Sequence, residues 1–226
     1  MVRKASIERK TRETSIRLEL NLDGRGNASI ATGIRFMDHM LESLARHALF
    51  DLRIKAKGDI DVDEHHLVED LGICLGKCLA KALGEKKGIR RFGNAIVPMD
   101  EAVATVGLDA SGRGYLVLDF GSAPWPRAPW GGPMTLPLYK PTAEKMIIRR
   151  LARPRGVRVG DVAVENIEHF LDTLARNAGL NINARVEGKN AHHMAEALFK
   201  ALALSLREAV RVEGEDIPST KGRLGD

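Results

Sequence analysis

Two short stretches carry residue types that can do metal chemistry, His65-His66-x-x-Glu69 and His192-His193-x-x-Glu196. On a helix, a side chain three or four residues further on lies one turn above its partner. Glu69 is therefore within reach of His65 and His66, and Glu196 of His192 and His193. Imidazole nitrogen combined with carboxylate oxygen suits Mn²⁺, Fe²⁺ or Zn²⁺. Two helix starts carrying solvated histidines would be the ordinary alternative, and the repeat of the same internal spacing argues against it. These pairs take four of the seven histidines.

The rest of the chain must position those groups. At 226 residues, with 44% hydrophobic and 29% charged residues, it has the composition of a soluble globular protein with material for a sizeable core. Its only cysteines, Cys74 and Cys78, sit four apart in a helical pattern and read as small core residues more readily than as ligands. Without a disulfide framework, a reducing cytoplasm is expected. The opening Met-Val-Arg-Lys-Ala-Ser has no apolar signal region, and no stretch approaches membrane-spanning length. The net charge of +5 suggests an anionic partner. Aromatics are scarce and basic residues scattered, so a phosphorylated small molecule fits better than nucleic acid.

The chain is internally duplicated. Residues 39–59 align without gaps on residues 169–189, with seven of twenty-one positions identical, including His39 with His169 and Leu44-Ala45-Arg46 with Leu174-Ala175-Arg176. Each half carries a histidine, a helix, a strand, and then His-His-x-x-Glu opening a second helix. Period-2 alternation predicts strands at 5–10 and 14–22, with a turn at Asp23-Gly24-Arg25-Gly26 and a returning strand at 27–32. Met37, Met40, Leu41 and Leu44 predict an amphipathic helix over 37–48. A strand at 50–57 and a helix at 66–83, ended by Gly84, complete the first half. The second half runs in parallel, with strands near 94–100, 102–109 and 114–119, a helix at 163–178, a strand at 180–187 and a helix at 192–211.

The expected fold class is α+β: two duplicated half-domains, each a small, mostly antiparallel sheet backed by two helices, related by a pseudo-twofold axis. The expected units are residues 1–92, residues 93–212 and a C-terminal tail at 213–226. One stretch breaks the symmetry. Residues 121–158 hold seven of the nine prolines and both tryptophans, an excursion with room for one short helix at 142–152. A lid, an oligomer contact or a passive insertion would each suit it.

With this pattern laid out, the chain resembles the imidazoleglycerol-phosphate dehydratase family of histidine biosynthesis. The matching segments are Lys10-Thr11-Arg12-Glu13-Thr14, GIRFMDHMLESLARH at 33–47, DEHHLVEDLGICLG at 63–76, ALGEKKGIRRFG at 82–93 and PMDEA at 98–102. Then follow SGRGYL at 111–116, GKNAHHMAEALFKAL at 188–202 and PSTKG at 218–222, in family order. Gly114, in place of a usual proline, Arg35, and a longer connection through 121–158 depart from the pattern.

The resemblance implies two Mn²⁺ ions per subunit. One would be held by His39, His66, Glu69 and His193, the other by His65, His169, His192 and Glu196. Glu13 would be the acid–base carboxylate, with His47 and Asp100 near the substrate. Arg91, Arg113, Lys200, Ser219 and Lys221 would bind the phosphate. The implied reaction is dehydration of D-erythro-imidazole glycerol phosphate to imidazole acetol phosphate through a dimetal-clamped imidazolate. The implied assembly is a 24-subunit homo-oligomer built from trimers, with active sites at subunit contacts. Two other readings stand beside it. A dimetal hydrolase of a phosphorylated small molecule would need an open position for hydroxide, and a nucleic-acid-binding module would have no use for the duplicated clusters.

Overall fold

A computed structural model describes residues 3–120 and 157–224. The first half contains β1 (Lys4–Lys10), β2 (Thr14–Asn21), β3 (Ala28–Ala31), α1 (Arg35–Ala48), β4 (Asp51–Gly58) and α2 (His65–Leu83). The second contains β5 (Phe92–Met99), β6 (Ala102–Asp109), β7 (Tyr115–Asp119), a short hairpin of β8 (Arg158–Val159) and β9 (Val162–Ala163), α3 (Val164–Ala178), β10 (Asn181–Glu187) and α4 (Ala191–Ala209). The sheets run β1-β2-β4-β3 and β5-β6-β10-β7, so the duplication extends to strand order.

One expected pairing is corrected. The strand after the Asp23–Gly26 turn does not return along β2. It lies on the far side of β4 and pairs with it in parallel, Ala28 opposite Leu52, while β4 itself pairs antiparallel with β2. The cause is Asp51 at the head of β4. Its carboxylate accepts from the backbone N–H of Arg25 (2.9 Å) and Asn27 (3.1 Å) and from the Asn27 side chain (3.0 Å). These bonds wrap the turn over β4 instead of closing a hairpin. A Cβ on Gly24 would lie 2.3 Å from the Asp51 nitrogen, so the approach requires glycine. The second half repeats the arrangement: β7 pairs in parallel with β10, and a Cβ on Gly114 would lie 2.3 Å from Arg176 Cα.

Alternation places Ile16, Leu18 and Leu20 of β2, and Ala104, Val106 and Leu108 of β6, on the inner faces, all buried. The helices form two inner layers between the sheets, and one continuous core joins both halves. α2 packs on α3, and α1 on α4, so each helix pair is drawn from both halves. α2 approaches α3 closely because Gly72 and Gly76 face it: a Cβ on Gly72 would stand 2.7 Å from the Phe170 carbonyl oxygen. Cys74 and Cys78 are buried free thiols in this core, and burial raises the pKa of each to about 11. Among the described residues, no helix is long and apolar enough to cross a membrane. The expected helix at 142–152 lies outside the described residues, as does most of the 121–158 excursion.

Candidate metal centre

The crossed helix pairing brings the histidines of one half against the carboxylates of the other. His65 and Glu69 on α2 meet His169 on α3; His192 and Glu196 on α4 meet His39 on α1. In each group one nitrogen or oxygen from every residue lies within 4.8 Å of the others. Glu69 is 3.9 Å from His65 Nε2 and 3.6 Å from His169 Nε2. Glu196 is 3.3 Å from His192 Nε2 and 3.6 Å from His39 Nε2. Ligands about 2.1 Å from a shared ion stand roughly 3.0–3.4 Å apart, so small inward shifts would close each group around a cation. His169 Nε2 is buried with no hydrogen-bond partner among the described residues. A nitrogen in that condition fits a cation ligand, and the two-nitrogen, one-oxygen set suits a first-row divalent metal.

The grouping differs from the expected division of ligands. Glu69 shares its cluster with His65 and His169 rather than with His39 and His66, and Glu196 sits with His39 and His192. Helix geometry explains this: His65 and Glu69, four apart, face each other, whereas His66 is turned about 100° further round the helix. His66 and His193 therefore lie outside both clusters. Each has Nδ1 held by a carboxylate, His66 by Asp59 (3.1 Å) and His193 by Glu101 (2.8 Å). Those partners raise the pKa of both rings, the hydrogen bond being the largest cause in each. The Nε2 of each ring is nearest a carboxylate outside the clusters, Glu13 for His66 and Asp100 for His193.

Carboxylates also place the helix starts. Asp161, between β8 and β9, accepts from the N–H groups of Arg35 (2.7 Å) and Phe36 (2.9 Å) and so caps α1, which carries His39. Glu64 at the start of α2 accepts from Ala163 N–H (2.9 Å), just ahead of α3, which carries His169. Asp63 and Asn190 each accept from the N–H of the first histidine of their pairs. The starts of α1, α2 and α3 are thus fixed in part by the other half, whereas α4 is capped from within its own.

The proposed acid–base groups sit near the outward-turned histidines. Glu13 is exposed beside β2, 4.0 Å from His66 Nε2. Asp100 is 3.6 Å from His193 Nε2, at the first position of the two-residue β5–β6 turn with φ 47°, a left-handed conformation that strains a non-glycine residue. His47, in the last turn of α1, has its pKa lowered by burial first and then by the charge of Lys200. The phosphate candidates divide. Arg91 makes a two-pronged pair with Asp109 (2.7 and 3.1 Å) and donates to the Pro218 carbonyl (2.8 Å), tying down the segment that carries Ser219 and Lys221. Lys200 instead pairs with Glu196 (2.8 Å). Arg113 is exposed in the β6–β7 turn.

The Arg91 N–H also donates to the Ala209 carbonyl at the far end of α4. Thirteen residues of helix separate Ala209 from Glu196, about 20 Å. The anchor of the Ser219 segment and the candidate metal cluster on α4 are at opposite ends of one helix. Residue-by-residue reading missed Asp59, Glu101 and Asn166, which hold ring nitrogens. The duplication contained the signal for Glu101, since it precedes β6 as Glu13 precedes β2.

The model of the family described as imidazoleglycerol-phosphate dehydratase matches residues 32–136 and 143–206. The chain belongs to the imidazoleglycerol-phosphate dehydratase family. It is 48% identical over 223 residues to the imidazoleglycerol-phosphate dehydratase of Methanothermobacter thermautotrophicus, covering 99% of this chain and 98% of that one. The Methanosarcina mazei dehydratase is also 48% identical, with 99% and 100% covered. The crystal structure of the Pyrococcus furiosus enzyme in complex with (S)-C348 has a TM-score of 0.71 at 34% identity, over 96% of this chain and 100% of that one. The Staphylococcus aureus enzyme gives 0.69 at 29%, over 92% and 99%. As a dehydratase-family member the chain is a hydro-lyase with that family's duplicated α+β fold.

Proposed function

We propose that this chain dehydrates D-erythro-imidazole glycerol phosphate to imidazole acetol phosphate in histidine biosynthesis, as a cytoplasmic enzyme using two Mn²⁺ per subunit. The observation that carries the reading is the paired clusters, each with two imidazoles and a carboxylate converging from different halves of the chain. When bound, the cations supply Lewis acidity that favours loss of the substrate's ring proton and so the departure of hydroxide from the adjacent carbon. Glu13, exposed and beside His66, moves a proton at the neighbouring carbon or the leaving oxygen. Asp100 plays the corresponding part beside His193. Arg91 anchors the segment that delivers Ser219 and Lys221 to the phosphate, and Arg113 and Lys200 add charge.

We infer that a complete site draws on more than one copy of the chain. About 20 Å separates the anchor of the phosphate-binding segment from the cluster on the same helix, more than so small a substrate spans. His66 and His193, oriented but outside both intrachain clusters, are available to complete a neighbour's coordination. Both points support the homo-oligomer, and the 24-subunit assembly built from trimers is the form we propose.

The test is direct. Purified protein should contain near two Mn²⁺ per chain and convert the substrate to its acetol phosphate. Metal-replete protein with no turnover of that substrate would sink the proposal. Nothing in the geometry favours the hydrolase or nucleic-acid readings over this one.

A further inference from the structure

The two clusters look like copies, yet their surroundings differ at two corresponding places. Three residues before His169 stands Asn166; three before His39 stands Phe36. Asn166 is buried, and its Oδ1 lies 3.0 Å from His65 Nδ1. An acceptor there holds the proton on Nδ1 and leaves Nε2 with its lone pair toward Glu69 and His169. Phe36 cannot do this. It meets the His192 ring edge-on at 5.3 Å between centroids, and among the described residues no polar side chain holds His192 Nδ1.

The second difference lies one turn beyond each glutamate. Four residues after Glu196 is Lys200, whose Nζ is 2.8 Å from Glu196 Oε1. Four residues after Glu69 is Ile73. In the Glu196 cluster a fixed positive charge already occupies one oxygen of the ligating carboxylate and opposes a second cation. In the other, both Glu69 oxygens face histidines, Oε2 toward His65 and Oε1 toward His169. Among the described residues, no lysine or arginine pairs with Glu69. His169 Nε2 is also already out of water and unpartnered, so coordination costs it no hydration.

We infer that the clusters are inequivalent: His65, Glu69 and His169 bind the first, tighter divalent cation with Asn166 as the positioning residue, and His39, His192 and Glu196 bind a second, weaker one. His66 and His193 do not account for the difference, because both lie outside the two clusters and each has its Nδ1 held by a carboxylate in the same way. The inference rests on the two-cation reading above and concerns only the order and affinity of filling.

Titration of the metal-stripped, full-length protein with Mn²⁺ alone, following the free ion by electron paramagnetic resonance, tests it. Two uptake classes about tenfold or more apart in affinity are expected. Asn166→Leu should weaken the tighter class by roughly 10–100-fold and leave the weaker one in place. Asn166→Asp, which keeps an acceptor, should retain the tight class, and Lys200→Met should tighten the weaker one. A single class of two equal cations, a tight class indifferent to Asn166→Leu, or a tight class lost in Asn166→Asp would overturn the inference while leaving two bound metals. Absence of stoichiometric uptake by the unaltered protein would instead remove the metal reading itself.

Discussion

Glu13 and Glu101 stand at the same place in the two halves, each directly before the second strand of its sheet, yet they face different atoms of corresponding histidines. Glu101 accepts from His193 Nδ1 at 2.8 Å and from the backbone N–H groups of Asn190 (2.8 Å) and Lys189 (3.3 Å). The His193 hydrogen bond is the largest cause of its pKa falling to about 2. In the first half Asp59 does the equivalent work on His66, and Glu13 sits on the Nε2 side instead. With that duty on Asp59, Glu13 is left without a ring nitrogen to hold, as the proton-transfer role proposed for it requires. A carboxylate held as low as Glu101 makes a poor proton donor near neutral pH.

Substituting the two glutamates should therefore have separable effects. Glu13→Gln is expected to lower kcat by about 10²–10⁴-fold with Mn²⁺ content unchanged. Glu101→Gln should lower metal affinity by loosening His193. Steady-state kinetics beside metal analysis distinguishes them, and normal turnover by Glu13→Gln would remove it as the acid–base group.

Asp100 sets stability against activity. Relief of its left-handed backbone in Asp100→Gly should stabilise the fold by roughly 1 kcal/mol. Removing the carboxylate beside His193 should reduce kcat. A thermal melt and an activity assay on one preparation check both, and unchanged kcat would confine Asp100 to a turn.

Arg91→Lys should raise KM through the tail. The single ammonium cannot reproduce the paired contact with Asp109 and still reach the Pro218 carbonyl. The segment from Pro218 onward should be cut faster by protease, with Lys221→Ala raising KM but not the cutting rate. Equal protease sensitivity in Arg91→Lys would refute the anchoring role.

Asp51 supplies a pH dependence away from the metal ligands. The Arg25 and Asn27 N–H groups hold its folded pKa below the unfolded value of 3.8. Its stabilisation is present above that value and is lost as pH falls through the depressed folded value. Asp51→Ala should cost about 1 kcal/mol at pH 7. The gap from the unaltered protein should narrow below about pH 4 in denaturant melts. A gap constant down to pH 2 would contradict this.

Legibility in the sequence followed the range of the interactions. The helices expected over 37–48 and 66–83 declared themselves through local apolar spacing, and the duplicated histidines and glutamates pointed to both clusters. What stayed hidden came from partners distant in the chain. α1 begins two residues earlier than its apolar pattern because Asp161 caps Arg35 and Phe36. α4 stops at Ala209, where Arg91 takes that residue's carbonyl and Val212 bridges to Ile89. The position of β3 beyond β4 depended on Asp51, and the grouping of Glu69 with His169 on the crossing of α2 and α3. Periodicity carries no information about such pairings.

Helix α4 carries one candidate metal cluster at one end and, through Arg91, secures the segment proposed to bind phosphate at the other. If, as proposed above, each site draws on different copies, two defects in different functions can make each other good. A variant lacking His192 and another lacking Lys221 would each be inactive or weak as a pure population. Reassembled together, some sites would receive an intact cluster from one chain and an intact tail from its neighbour. Such mixtures should recover activity that neither parent shows, in proportion to the fraction of mixed contacts, so a heterozygous cell could complement within a single gene.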